Sequence, residues 1–195
     1  MSVVAAVKQG GRIWFGADTQ LTCGSDCYNN LNVRDLKVAK LDNGILLSFT
    51  GETSTAQMIL AYPEWFTVDE KKGLTKEHIV TKIIPRMFEK LDEEEMLERD
   101  GKDSPPEMKV SMLIAYKDKL FAIERGFHVV RYDDYQATGS GANAVKYGLS
   151  VLDKSKDINE QLVRLLRISA KQDSNVSAPF VLIDTKKLEY TIVKE

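Results

Sequence analysis

The sequence is poor in the residues on which many hydrolases and metalloproteins depend. Only two histidines, His78 and His128, and two cysteines, Cys23 and Cys27, occur among 195 residues. Two thiols are too few for a disulfide framework and fit a reducing compartment. They could hold a metal only with partners to which the sequence does not point, so neither metal nor cofactor is expected. No run approaches about 18 uninterrupted apolar residues, so no membrane span is expected. The chain does not open with a basic region followed by an apolar run, so no signal peptide is expected either. Cytoplasm is the expected location. With 27 basic and 29 acidic residues the net charge is -2. No cationic excess exists to neutralise phosphates, which argues against a nucleic-acid partner. A phosphate-binding loop and a dinucleotide fingerprint are also missing.

What is present suits one globular domain spanning 1–195, since 43% of the residues are hydrophobic and the length allows a sizeable core. The opening reads as two short strands, Val3 to Lys8 and Arg12 to Ala17, joined at Gly10-Gly11. A Gly-Gly pair supplies the positive φ angles of a tight hairpin. A second hairpin pairs Leu36 to Leu41 with Ile45 to Phe49. The loop between them, Thr19 to Asp35, is too long to be only a connector.

Helical spacing follows. Ala56, Ile59 and Leu60 share one face, and Pro63 marks an end. A second helix opens at Thr75 and aligns Ile79, Ile83, Met87 and Leu91. Pro85 inside that stripe predicts a kink. The charged stretch Glu89 to Lys109 reads as a helix end and an exposed loop. Strands return at Val110 to Tyr116, Leu120 to Glu124 and Val129 to Tyr132. Gly139-Ser140-Gly141 then leads into two helices, near Ala142 to Leu152 and Ile158 to Lys171. A last hairpin, Phe180 to Asp184 and Leu188 to Val193, ends the chain. Strands and helices come in segregated runs, which predicts the α+β class rather than alternating βαβ units. The arrangement expected is a four-layer αββα sandwich, two antiparallel sheets each covered by a helix pair.

The ordinary nucleophile arrangements are weak here. Both histidines sit in contexts that suit packing or surface roles. Gly139-Ser140-Gly141 is not a nucleophile elbow, because Thr138 occupies the place of its first glycine. One solution needs no histidine: a Ser or Thr at a chain terminus can use its own α-amino group as general base. That amine has a pKa of about 7.7–8.0, so a useful neutral fraction exists near neutrality. Ser2 becomes such a residue once Met1 is removed.

Several segments carry a family resemblance. Ser2-Val3-Val4-Ala5-Ala6-Val7, running through Gly10-Gly11 to Gly16-Ala17-Asp18, resembles the first hairpin of proteasome β-subunits and the bacterial peptidase HslV. Lys37-Val38-Ala39-Lys40-Leu41 is similar to the strand bearing the family's catalytic lysine, with about three extra residues before it. Ser48-Phe49-Thr50-Gly51 looks like the segment whose glycine amide forms the oxyanion hole. Thr138-Gly139-Ser140-Gly141 and Ala170-Lys171-Gln172-Asp173 resemble the start of the second half and the end of its second helix. The resemblance implies an N-terminal-nucleophile (Ntn) hydrolase fold with Ser2, Asp18, Lys37, Gly51, Ser140 and Asp173 as site residues. It implies a peptidase acting on peptides or unfolded proteins, assembled as a homo-oligomeric ring, with an ATP-dependent unfoldase among its partners. Two alternatives stay open: a small-molecule amidase or acylase on the same scaffold, and an inactive assembly subunit. The chain departs from the pattern in having Ser where these subunits usually carry Thr. It also leaves open whether Ser174 or Ser177 stands in for the serine that follows the late Asp.

Overall fold

The computed structural model describes residues 2–23, 26–32, 36–101 and 103–194, with the Cys23 side chain outside that set. The elements in chain order are β1 (Val4–Gln9), β2 (Arg12–Asp18), β3 (Gln20–Cys23), β4 (Asp26–Asn29), β5 (Val38–Lys40) and β6 (Leu46–Gly51). Next come α1 (Thr53–Leu60), a 3-10 turn (Pro63–Trp65), α2 (Lys76–His78), a π segment (Ile79–Ile83) and α3 (Ile84–Glu93). After these lie β7 (Leu97–Glu98), β8 (Glu107–Met108), β9 (Val110–Tyr116), β10 (Lys119–Ile123), β11 (Val129–Tyr132) and β12 (Tyr135–Thr138). The last elements are α4 (Ala142–Ser150), α5 (Ile158–Gln172), β13 (Phe180–Asp184) and β14 (Thr191–Val193).

The strands form two five-stranded antiparallel sheets, ordered β12-β1-β2-β13-β14 and β11-β10-β9-β6-β5. Side-chain alternation explains how they stack. Val3, just before β1, and Ala5 and Val7 along it face a cluster shared with Val145, Leu162 and Leu166 of the α4–α5 pair. Val4 and Ala6 face the other way, onto Leu113, Ala115 and Leu120 of the second sheet. In β9 the roles repeat, with Met112 and Ile114 turned to Ile79, Ile83 and Met87 of the other helical layer. Strands apolar on both faces must be covered on both faces, and three apolar interlayers make four layers. The expected αββα sandwich is therefore the one observed. Each fully buried large side chain in these interlayers contributes about 1.5–3 kcal/mol.

Local details follow from the sequence. Gly10 and Gly11 both take positive φ (63° and 70°), as a two-residue hairpin of the I′ kind requires. Thr75 caps the second helix, its hydroxyl accepting from the His78 amide at 3.1 Å. The expected kink at Pro85 takes the form of the π segment just before it. That wider turn absorbs the missing N–H, while Ile79, Ile83, Met87 and Leu91 all stay buried.

Three differences from the sequence reading stand out. The Thr19 to Asp35 loop contains a two-stranded ribbon, β3 paired with β4; Gly24, Ser25 and 33–35 lie outside the described residues. The charged stretch after α3 includes the short ribbon β7–β8, tied by Arg125 to Glu98 and Glu107. Finally, β12 was not expected at all. Its four residues, Tyr-Gln-Ala-Thr, are too few for a legible alternation, yet they pair with β1 in the register Val4↔Thr138. Among the described residues no helix is long and apolar enough to cross a membrane.

Candidate active site

The pairing of β1 with β12 decides where Ser2 lies. Val4 opposite Thr138 brings Gly139-Ser140-Gly141 alongside Ser2, which is buried. The Ser2 amide donates to Ser140 Oγ at 3.2 Å, and the Gly141 amide donates to the Ser2 carbonyl at 3.2 Å. At Gly139 (φ 97°) an added Cβ would stand 2.1 Å from the Ser2 carbonyl oxygen. Only glycine allows so close an approach. Ser140 also stands near the carboxylate of Asp173, the residue that caps the C-terminus of α5. Asp173 Oδ1 accepts from the Asn175 amide and side chain, both at 2.9 Å. Burial raises the Asp173 carboxyl, but these hydrogen bonds outweigh it and hold the group below its ordinary value.

Asp18 ends β2 beside the same strand. Its Oδ1 accepts from the Val3 amide at 2.8 Å. Its Oδ2 accepts from the Gln20 amide at 3.2 Å and from Lys37 Nζ at 2.7 Å. The Lys37 and Asp18 side chains are 7% and 0% exposed. Burial pushes the Asp18 carboxyl up and the Lys37 ammonium down, while their mutual attraction opposes both shifts. Asp173 adds a further attraction on Lys37. A buried ammonium without these carboxylates would be costly, so the pair fixes the lysine in position.

Ser2, Lys37 and Gly51 line one cavity of about 60 Å³. Leu21, Leu36, Phe49, Ala56 and Leu60 supply its apolar walls, and Glu52, Thr53 and Gln57 its polar rim. Gly51 has φ 129°, and a Cβ there would meet the Lys109 carbonyl oxygen at 2.3 Å. The Phe49 amide donates to the Lys37 carbonyl at 3.0 Å. Strand alternation puts the Gly51 N–H on that same edge, two residues further along. The cavity thus brings the Ser2 hydroxyl together with an ammonium held by a carboxylate, a strand-end amide and an apolar recess.

No family model and no curated protein matches the chain in sequence. Solved structures do. Thiobacillus denitrificans BPH superposes with a TM-score of 0.74 at 20% identity, over 96% of this chain and 98% of that one. Its complex with Epoxomicin gives 0.73 at 21% identity, over 96% and 99%. HslV from Trypanosoma brucei gives 0.63 at 16% identity, over 93% and 98%. Anbu, the ancestral β-subunit from Yersinia bercovieri, gives 0.69 at 12% identity, over 99% and 87%. The fold is that of the proteasome-type Ntn hydrolases.

Within this proteasome-type fold, all six residues singled out from the sequence lie at one end of the sandwich. Ser2, Lys37 and Gly51 share the cavity, Asp18 holds Lys37, and Ser140 contacts Ser2 with Asp173 close by. The Ser177 hydroxyl turns away to Asn29 Oδ1 at 3.0 Å, and Ser174 offers its carbonyl to Gln20 Nε2 at 3.1 Å. The histidines stand apart: His78 Nε2 contacts Thr67 at 2.9 Å, and His128 closes a turn through its backbone. The cavity walls escaped the sequence reading, because Leu21, Leu36, Phe49, Ala56 and Leu60 look like ordinary core positions. Gln20 was also missed. It joins the Asp18 carboxylate to the Asp173 loop.

Proposed function

We propose that the chain is an Ntn peptidase in which Ser2, freed by removal of Met1, attacks the peptide carbonyl. The observation that carries this reading is the shared cavity of Ser2, Lys37 and Gly51, with Lys37 bound to Asp18 at 2.7 Å. The Lys37 ammonium disfavours a second positive charge nearby, so the terminal amine stays neutral at lower pH and serves as a base. That amine takes the hydroxyl proton as Ser2 Oγ bonds to the carbonyl carbon. The Gly51 N–H donates to the developing oxyanion. Collapse breaks the C–N bond, and the α-ammonium returns its proton to the departing amine. Water, deprotonated by the same amine, then hydrolyses the ester and restores Ser2. Ser140, which accepts from the Ser2 nitrogen, orients the amine, with the Asp173 carboxylate close by.

The apolar recess beside Ser2 suits a medium-sized apolar side chain of a peptide or unfolded protein. The protein works as a homo-oligomeric ring in the cytoplasm, with an ATP-dependent unfoldase as a partner of the kind that supplies unfolded chains. Epoxomicin, bound by the BPH neighbour, is the probe of choice. Intact mass spectrometry of the native protein is expected to show loss of one methionine, and epoxomicin to add its mass and stop cleavage of fluorogenic peptides. Ser2→Ala is expected to abolish both. A retained Met1, or peptide turnover undiminished in Ser2→Ala, excludes this mechanism and favours an inactive assembly subunit.

A further inference from the structure

The ribbon β7–β8 runs straight into the residues that seat Gly51. β8 ends at Met108 and β9 begins at Val110, so the strand breaks at Lys109. At that break the Lys109 carbonyl turns to the end of β6, where it accepts from the Glu52 amide at 3.0 Å. The same oxygen lies 2.3 Å from where a Gly51 Cβ would stand, and Gly51 itself pairs with Val110. A break of this kind re-aims backbone groups, as bulges beside active sites do. The turn of Gly51 into α1, and with it the direction of the Gly51 N–H, rests on the Lys109 peptide.

Arg125 holds that peptide in place. It lies on the turn between β10 and β11, and its carbonyl accepts from the Met108 amide at 2.7 Å. Its Nε donates to the Met108 carbonyl at 3.0 Å. Both backbone groups of Met108 are thus gripped by one residue, and that carbonyl belongs to the peptide bond leading to Lys109. The Met108 side chain is buried among Ile79, Ile83 and Met87, which anchors the strand from below. On its outer side the guanidinium donates to the Glu98 carboxylate and stands 3.7 Å from that of Glu107. These three side chains are each 48% exposed, and ion pairs so open to water add little to stability. Their effect is directional: they keep the arginine turned to the Met108 carbonyl.

We propose that Arg125 is a positioning residue for the oxyanion donor. By gripping the amide and carbonyl of Met108 it sets the Lys109 peptide, and so the aim of the Gly51 N–H. It does not line the cavity at Ser2. The proposal rests on the peptidase reading, in which that N–H meets the oxygen of the attacked carbonyl. Arginine suits the task because its planar fork serves a carbonyl and a carboxylate at once, whereas a lysine ammonium is a point charge.

The test compares a tripeptide aldehyde ending in leucinal with the alcohol of the same sequence, on the full chain freed of Met1. Ser2 Oγ adds to the aldehyde carbon and the hydroxyl proton passes to the former carbonyl oxygen, giving a hemiacetal with no leaving group. The alcohol forms no such bond and reports the recess alone. Arg125→Met is expected to weaken the aldehyde by about tenfold or more, a part of what losing an oxyanion donor costs. It is expected to lower kcat by the same factor, while alcohol binding and KM hold. Arg125→Lys is expected to move the same way, and it decides the matter should Arg125→Met not fold by thermal unfolding. Arg99→Met is the control: it removes an ion pair to Asp92 of similar exposure beside the same ribbon and is expected to alter neither ligand. Equal weakening of aldehyde and alcohol, an unaltered aldehyde, or the same loss in Arg99→Met overturns the proposal. A wild type that binds the aldehyde no better than the alcohol and cleaves no peptide removes the peptidase reading, and the proposal with it.

Discussion

Lys37 and Asp18 are linked across the two sheets: the aspartate ends β2 of one sheet, and the lysine leads into β5 of the other. Their 2.7 Å contact is buried from both sides, so the alignment of the sheets and the geometry of the cavity are one problem.

Removing either partner strands a buried charge. Asp18→Ala and Lys37→Met are each expected to destabilise the fold by about 3–5 kcal/mol, measured by urea unfolding. Both are expected to lower kcat/KM by two orders of magnitude or more. The double variant Asp18→Ala/Lys37→Met is expected to recover much of the stability and none of the activity. Recovery of turnover in the double variant would show that the pair only supports the fold.

The same burial sets a pH window. The Asp18 carboxyl is raised from its ordinary 3.8, so it protonates earlier as pH falls. Lys37 is lowered from 10.5, so it deprotonates earlier as pH rises. The charged pair therefore persists over a narrower range than free side chains would give. Activity is expected to fall at both ends inside the limits set by ordinary Asp and Lys. The acid limb follows the Ser2 amine, so Asp18→Glu should act through Lys37 and move the basic limb; a kcat/KM profile identical in that variant would contradict the assignment.

Asp184 gives an independent stability test of opposite sign. Burial raises its carboxyl, but the Lys187 and Lys186 amides and Arg12 outweigh burial and hold it below 3.8. A depressed folded pKa contributes stability above the unfolded value, which is lost as pH falls through the folded one. Asp184→Asn is expected to cost about 1–3 kcal/mol at pH 7 and little near pH 2. Equal costs at both pH values would contradict this.

At Gly139 the close approach of 2.1 Å to the Ser2 carbonyl leaves no space for a methyl group. Gly139→Ala is expected to displace Ser2 and reduce kcat far more than KM. Gly10→Ala is the control: its φ is also positive, at 63°, but nothing lies within 4 Å of an added Cβ. That variant should cost about 1 kcal/mol of stability and leave kcat unaltered.

Filling the recess tests substrate choice. Ala56→Phe is expected to lower kcat/KM for peptides with a large apolar side chain by tenfold or more. Peptides with a small one should be spared, since a methylene-sized change is worth roughly 10–200-fold. A uniform loss across both peptide sets would remove the recess from the specificity account.

Much of this was legible in the residues themselves. The Gly10-Gly11 hairpin, the Thr75 cap and the stripe from Ile79 to Leu91 are local patterns, and local geometry follows local sequence. Ser2, Asp18, Lys37, Gly51, Ser140 and Asp173 could be singled out because resemblance preserved their order and spacing. The strand β12 and the β3–β4 ribbon were not legible: each pairs through backbone groups, which every sequence has, and β12 is only four residues long.

By itself the sequence determined the periodicities, the turns and hence the two-sheet, two-helix-layer plan, because these depend on neighbours a few residues apart. Tertiary structure alone decided that Thr138 lies opposite Val4, that Lys37 reaches Asp18, and that five scattered apolar residues wall a cavity at Ser2. Those relations join residues far apart in the chain, whose distances are set by how the layers pack and not by any local preference.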